Sequence, residues 1–489
     1  MHAYLGGVWL VRLVFLHGLA LIYLVAFVST LRQFPALLGE RGLTPVARFV
    51  ARVSFVDAPS LFHLSARDSV ARAAAWTGVV LSLLLVAGVA DVGPAWWAAL
   101  PWLALWALYL SFVNVGQRFY GFGWESMLLE AGFFAALLGP MMIEPSPIPI
   151  LLLRWMLFRT EFGAGLIKLR HDRCWRDLTC LDYHYQTQPL PNPISRAFHF
   201  LPKPIHRASV AGSHAVQLVA PFFLFAPQPV AAIAGAVIIV HQLWLVASGN
   251  YSWLNWLTVV LGVTALDDRA LTLVLPVATP LLLQPRTLMN ESVLQLVAAI
   301  AIALSVEPAL NLASKHQKMN CSFNPLHLIN AYGAFGSVSK ERYEVIVEGT
   351  SAATPDDPSA WRPYEFKAKP GNIMRRPRLL APYHLRLDWL MWFLPFSVQV
   401  TPGGVLVRGY SEWFLVFLER LLDNDAATLA LLADNPFPDA PPRFIRARYY
   451  RYRFATRREH RETGAYWQRT LIGDYLPPVS RAQLLHTEI

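Results

Sequence analysis

The sequence predicts a polytopic α-helical membrane protein of about eight to ten helices with a C-terminal extramembrane β-rich domain. Three observations carry that reading. Of the 489 residues, 55% are hydrophobic and only 15% charged, where soluble domains hold about one-quarter charged residues. Through residue 312, apolar runs succeed one another at lengths near the ~20 residues that span a bilayer, too long and continuous for barrel strands. After that point the runs shorten, charges rise, and Gly and Pro bracket short β-branched segments.

Taken in order, helices are expected at 8–30, 72–90, 95–113, 124–143, 147–169, 208–226, 229–248, 251–266, 270–284 and 291–312. The first run has no small-residue cleavage pattern behind it and reads as an anchor. Between the first two helices, TPVARFVARVSFV (44–56) sets Arg48 and Arg52 four apart, with Phe49, Val53 and Val56 facing elsewhere. That pattern suits a segment lying in the interface plane. These spans form a transmembrane domain over 1–312, with a structured loop at 168–207. The domain expected over 313–489 has strand signals at 342–350, 364–371, 396–400 and 404–409. It also has turn chemistry at 354–359 and apolar helices at 386–394 and 411–422.

The net charge of +10 is explained by Lys and Arg at membrane surfaces contacting anionic lipid. No recognition motif supports nucleic-acid binding. Orientation stays open. The 32–72 loop holds six Arg and the 168–207 loop seven Lys or Arg, which would put both in the cytoplasm. That conflicts with the usual cytoplasmic N-terminus.

The segment from Arg154 to Tyr185 concentrates the chemistry. Arg154, Glu161 and Lys168 lie in an apolar run, seven residues apart, and so share one helix stripe. Charge inside a membrane costs at least a few kcal/mol per group and needs a partner or a task. Glu125 and Glu130 on the preceding helix are available to meet Arg154 or Lys168. With His171 and Asp172 they define a candidate polar membrane pocket, and its alternative is a neutralised structural network. His214, Gln217, His241 and Gln242 sit in apolar helices, either bonding across helices or lining the same cavity. Asn250, Asn255 and the nearby Trp residues read as an interfacial turn and aromatic belt.

Cys174 and Cys180 are separated by five residues in one loop and Cys321 is left over. In an oxidising compartment the first two have the spacing for a short-loop disulfide; free thiols and a redox pair are the alternatives. The ligand-type side chains nearby lack zinc-site spacing, so no metal is expected. Walker A, GxGxxG and GxSxG motifs are missing, so no cofactor is expected either. Trp175, Tyr183 and His184 are candidate partner- or lipid-binding residues. So are Arg448, Arg451 and Arg453 in the tail, where eight Arg alternate with aromatics over 443–461.

Several long words resemble the lipase maturation factor family. They are GFGWESMLLEAGFFA (121–135), RWMLFRTEFGAGLIKLR (154–170), CWRDLTCLDYHYQTQPLPNP (174–193), WLVASGNYSWLNWLT (244–258), NAYGAFGSVSKERYEVIVEGT (330–350), YEFKAKPG (364–371), RRPRLLAPYHLRLDW (375–389) and RYYRYRF (448–454). The resemblance implies a multi-pass membrane protein that helps exported lipases or other secreted clients fold and assemble. Its animal relatives sit in the endoplasmic reticulum membrane. The Ala-, Arg- and Pro-rich composition looks bacterial, and the corresponding place is the inner membrane. GAGLIKLRHDRCW (163–175) is also similar to a transmembrane segment of vitamin K-dependent γ-carboxylases. That likeness implies a lysine base at Lys168, with Trp175 as the matching Trp. Arg176 stands where those enzymes have glycine. Two functions follow as expectations: a folding or assembly factor, and a membrane enzyme whose Lys168 base acts on a lipidic or quinone-like substrate. A third expectation is a lipid-binding or transporter-like membrane protein; a transporter should show inverted repeats, and the sequence shows no internal repeat.

Overall fold

The computed structural model describes residues 2–280, 282–402 and 404–484. Leu281, inside the expected 270–284 helix, and 485–489, at the end of the expected second domain, lie outside the described residues. The first part is a helical bundle. Its main helices are α1 (Trp9–Leu38), α2 (Asp68–Val86), α3 (Ala95–Val115), α4 (Gly123–Ala135), α5 (Pro147–Arg170), α6 (Lys203–Leu218), α7 (Val230–Ser248), α8 (Leu254–Val263) and α9 (Leu288–Leu304). Among the described residues, five helical segments are long and apolar enough to cross a membrane: α1, α2, α3, α7 and Leu288–Ala313. α5 is long enough at 24 residues but carries more charge. The chain is a membrane protein.

Successive helices run between two ends of the bundle. At one end Asp268 accepts from the free N–H groups of Trp9 and Leu10 that open α1 (2.9 and 2.8 Å). Arg12 there donates to the carbonyls of Leu138, Met141 and Ile143 (3.0–3.1 Å). The C-terminal ends of α1, α3, α5 and α7 at the other end all meet the chain beyond residue 313 or the 171–202 loop. This end holds the chemistry discussed below.

Two expected helices are corrected. The 270–284 helix does not form: a helix ends at Thr272 and the chain then runs irregular and exposed. Pro276 and Pro280 each remove a donor and clash with the preceding turn. The 124–143 helix stops at Ala135, ahead of Gly139, whose φ is +70°, and Pro140. The interfacial segment at 44–56 is helical only over Val46–Val50.

Beyond the bundle lies a four-stranded antiparallel sheet in the order β2 (Arg362–Pro363), β1 (Arg342–Thr350), β5 (Phe444–Phe454), β6 (Trp467–Ser480). A separate hairpin pairs β3 (Val398–Thr401) with β4 (Gly404–Val407). Two helices, α10 (Arg386–Met391) and α11 (Glu412–Leu422), pack beside them. The Arg–aromatic tail is β5 itself, with Glu344 opposite Tyr450 and Arg342 opposite Tyr452. β6 carries Pro477 and Pro478, which hid it from a strand reading. The strand expected at 364–371 is corrected. Tyr364 N still donates to Val347 O (2.9 Å), but Ala368 N and Lys369 N turn to the Asp388 carboxylate (2.6 and 3.1 Å). A side chain has replaced the ladder.

Candidate functional site

Inside the bundle end, α5, α6, α7 and α8 line a cavity of about 90 Å³. Lys168 and Glu161 of α5 project into it and are 5% and 1% exposed. Lys168 Nζ donates to Gln217 Oε1 of α6 (2.6 Å) and stands 5.1 Å from the Trp175 ring centre, a cation–π contact. Glu161 Oε1 accepts from Gln242 Nε2 of α7 (2.5 Å), and Gln242 Oε1 accepts from Asn255 Nδ2 of α8 (2.6 Å). One amide relay therefore ties three helices to one carboxylate. His241 Nε2 meets Ser213 Oγ at 3.2 Å on the same wall.

The 171–202 loop closes the cavity. Cys174 and Cys180 are joined by a disulfide, with Cα atoms 4.9 Å apart. Cys180 precedes the short helix Leu181–Thr187, whose His184 and Tyr185 face the cavity. Trp175 Nε1 donates to Phe335 O (2.8 Å), fixing the ring over Lys168. Burial, with the nearby Lys168 charge adding, holds the His184 imidazole down to about 3. The ring is thus neutral near pH 7 and pairs with Tyr251 Oη at 3.1 Å.

Of the candidate polar pocket, only Glu161 and Lys168 line this space, and the other members are corrected. Arg154 shares their stripe but sits 14 residues, roughly 21 Å, from Lys168 along the helix. It donates to the carbonyls of Thr264 and Leu224 (2.8 and 3.1 Å). Glu125 pairs with Arg386 of α10 (2.6 Å) and accepts from Tyr109. Glu130 pairs with Arg159 and accepts from Asn330 N and Tyr332 Oη (2.9 and 2.8 Å). His171 is exposed, its Nδ1 3.2 Å from Ile167 O, and Asp172 accepts from Val338 N (2.7 Å).

Trp175 and His184 are walls of the cavity rather than an open surface, while Tyr183 is partly exposed outside it. Arg448, Arg451 and Arg453 lie on β5 and do not line it. Each is matched locally: Arg448 with Glu348 and Asp474 (both 3.8 Å), Arg451 with Glu341 (3.3 Å), Arg453 with Glu459 (2.6 Å). Among the described residues no group of three or more His, Cys, Asp or Glu could hold a metal.

Sequence reasoning did not bring Asn255 and Tyr251 to the cavity or Arg159 and Arg386 to the buried carboxylates. Arg159 carried a signal, because a buried Glu130 demands a cation. Arg386 lies 261 residues from Glu125 and carried none.

Residues 10–273 match the model of the lipase maturation factor transmembrane domain, and 328–477 match that of its C-terminal domain. Lipase maturation factor 1 of Bos taurus is 41% identical over 98% of this chain and 90% of its own length. The chain belongs to the lipase maturation factor family. Lipase maturation factor 1 of Homo sapiens is 40% identical over 99% of the chain and 90% of its own length. Lipase maturation factor 2 of Homo sapiens is 27% identical over 97% and 83%. No solved structure matches. Both halves of the family pattern are therefore present, and the cavity lies where they meet: α5 to α8 fall in the first matched region, Tyr332 and Phe335 in the second.

Proposed function

We propose that this protein assists the folding and assembly of exported lipases from a bacterial inner membrane, the position that corresponds to the endoplasmic reticulum membrane of animal relatives. The relation to Lipase maturation factor 1, at about 40% identity across nearly the whole chain, carries this reading. The arrangement of the two ends supports an orientation. The disulfide loop 174–180 and the sheet share one end of the bundle, tied by Arg342, which donates to the carbonyls of Gln186 and Pro189 (both 3.0 Å). A stable disulfide belongs on the oxidising, exported side, and a client lipase would meet the sheet there.

The test is exported lipase activity in a strain lacking this gene, rescued with wild type, Lys168→Ala or a chain ending at residue 313. Wild type should restore activity and the truncated chain should not. If deletion changes no exported lipase, the client does not carry over and the proposal fails. If wild type rescues and a normally expressed Lys168→Ala does not, the cavity takes part, as the reading of a membrane enzyme with a lysine base requires.

A further inference from the structure

Lys168 and Glu161 stand seven residues apart on one stripe of α5, roughly 10 Å along the axis. Both are buried, yet among the described residues no ion pair joins them, whereas Glu125 and Glu130 each touch an Arg. The gap between them is part of the cavity. Lysine has three N–H donors, and Lys168 gives one, to Gln217. Glu161 Oε2 has no hydrogen-bond partner. Gln217, which accepts from Lys168, also reaches towards the Glu161 carboxylate as a weak donor, but Oε2 keeps no hydrogen bond of normal length. His241 Nδ1, on the same wall, is also unpartnered. A buried acceptor without a donor is costly, because it gave up its water on folding. The site is complete when a molecule bridges the two charges.

The surroundings define that molecule. Lys168 and Glu161 sum to zero charge whether both are ionised or both are neutral. A charged ligand would therefore add an uncompensated charge to a buried site, so the ligand is uncharged. It carries a donor for Glu161 and an acceptor for Lys168. The rest of the wall carries no further carboxylate, Lys or Arg and mixes aromatic side chains, including Trp175, Tyr251 and Phe335, with uncharged polar ones such as Ser213, Asn255 and Thr258. Trp244 both lines the cavity and is 42% exposed, so at this point the wall between cavity and surface is one side chain thick. Its neighbours Val240 and Leu243 are exposed on α7, a helix apolar enough to span a bilayer. This side of the cavity therefore fronts hydrocarbon. A small headgroup entering beside Trp244 would leave its acyl chains along α7 in the membrane.

We infer that this cavity binds the headgroup of an uncharged glycerolipid, its free hydroxyl donating to Glu161 and its ester carbonyl accepting from Lys168. The inference does not depend on the lipase client. The full-length protein in phosphatidylcholine nanodiscs, titrated with 1,2-dioleoylglycerol, should show one saturable bound lipid by native mass spectrometry. Lys168→Met and Glu161→Leu should each weaken it at least tenfold. Ser213→Trp, which fills the cavity from α6, should abolish it. Triolein, which lacks the hydroxyl, and oleate, which is charged, should fail to compete. The inference is overturned if dioleoylglycerol shows no saturable binding, if Ser213→Trp binds as wild type does, or if triolein or oleate competes equally. Should a charge variant fail to fold, Ser213→Trp and the lipid series decide alone.

Discussion

Three buried carboxylates in this bundle, treated in two ways, show how a membrane protein separates scaffold from site. Glu125 and Glu130 are sealed. Each meets an Arg and further donors, and Arg386 also lies 3.5 Å from the centre of the Tyr120 ring. Glu161 is left open, with its cation on the same helix but out of reach and a cavity between. A sealed pair fixes which helices pack. Through Arg386 it also pins α10, from the far side of the sequence, onto α3 and α4. An unsealed pair leaves binding capacity unused. Burial alone therefore does not mark a functional charge; the missing partner does.

The comparison breaks first at Arg386. Removing one member of a sealed pair strands the other, so Arg386→Ala should cost about 3–5 kcal/mol in chemical unfolding. If it unfolds like wild type, the sealed pair is not scaffold. Next comes the wall of the open site. Cys174→Ser with Cys180→Ser releases a loop of separation 6 and should lower stability by about 2 kcal/mol. Limited proteolysis should then cut first within 171–187, and cutting elsewhere first would detach the disulfide from the cavity.

Double-mutant cycles sharpen the contrast further. Arg386 with Glu125 should show a coupling of about 1–3 kcal/mol, and Lys168 with Glu161 less than about 0.5. Equal couplings would mean that the open pair is in contact after all. The smallest effect belongs to the exposed sheet surface. Arg453 holds the Glu459 carboxylate down to about 2 from 4.5. That contribution is present above pH 4.5 and is lost as the pH falls towards 2. Arg453→Ala should flatten this acid limb by lowering stability slightly at neutral pH, since the pair is exposed, and leaving it unchanged near pH 2; an equal loss at both pH values would contradict it.

Much of the fold was legible because lipid imposes simple rules. Apolar length located α1, α2, α3 and α7, and alternation located β1 and β5. Prolines defeated the same signals in both directions, ending the apolar run after Thr272 and disguising β6. For the candidate site, the seven-residue stripe joined Arg154 to Glu161 and Lys168, whereas only the last two line the cavity. A helical wheel records direction and discards height, and Arg154 lies at the wrong height. Asn255 read as an interfacial turn, because nothing local distinguishes a belt amide from a relay amide.

The sequence by itself determined a membrane bundle with a β-containing C-terminal part, membership of a family, and the presence of charges that lipid cannot ignore. Those follow from composition, run length and word order, which are local properties of the chain. Only the tertiary structure decided which charges are neutralised. Partners such as Arg386 for Glu125 and Asn330 for Glu130 come from residues 200 or more positions away. Pairing in low dielectric is settled by contact distance, and contact distance exists only once the helices have packed.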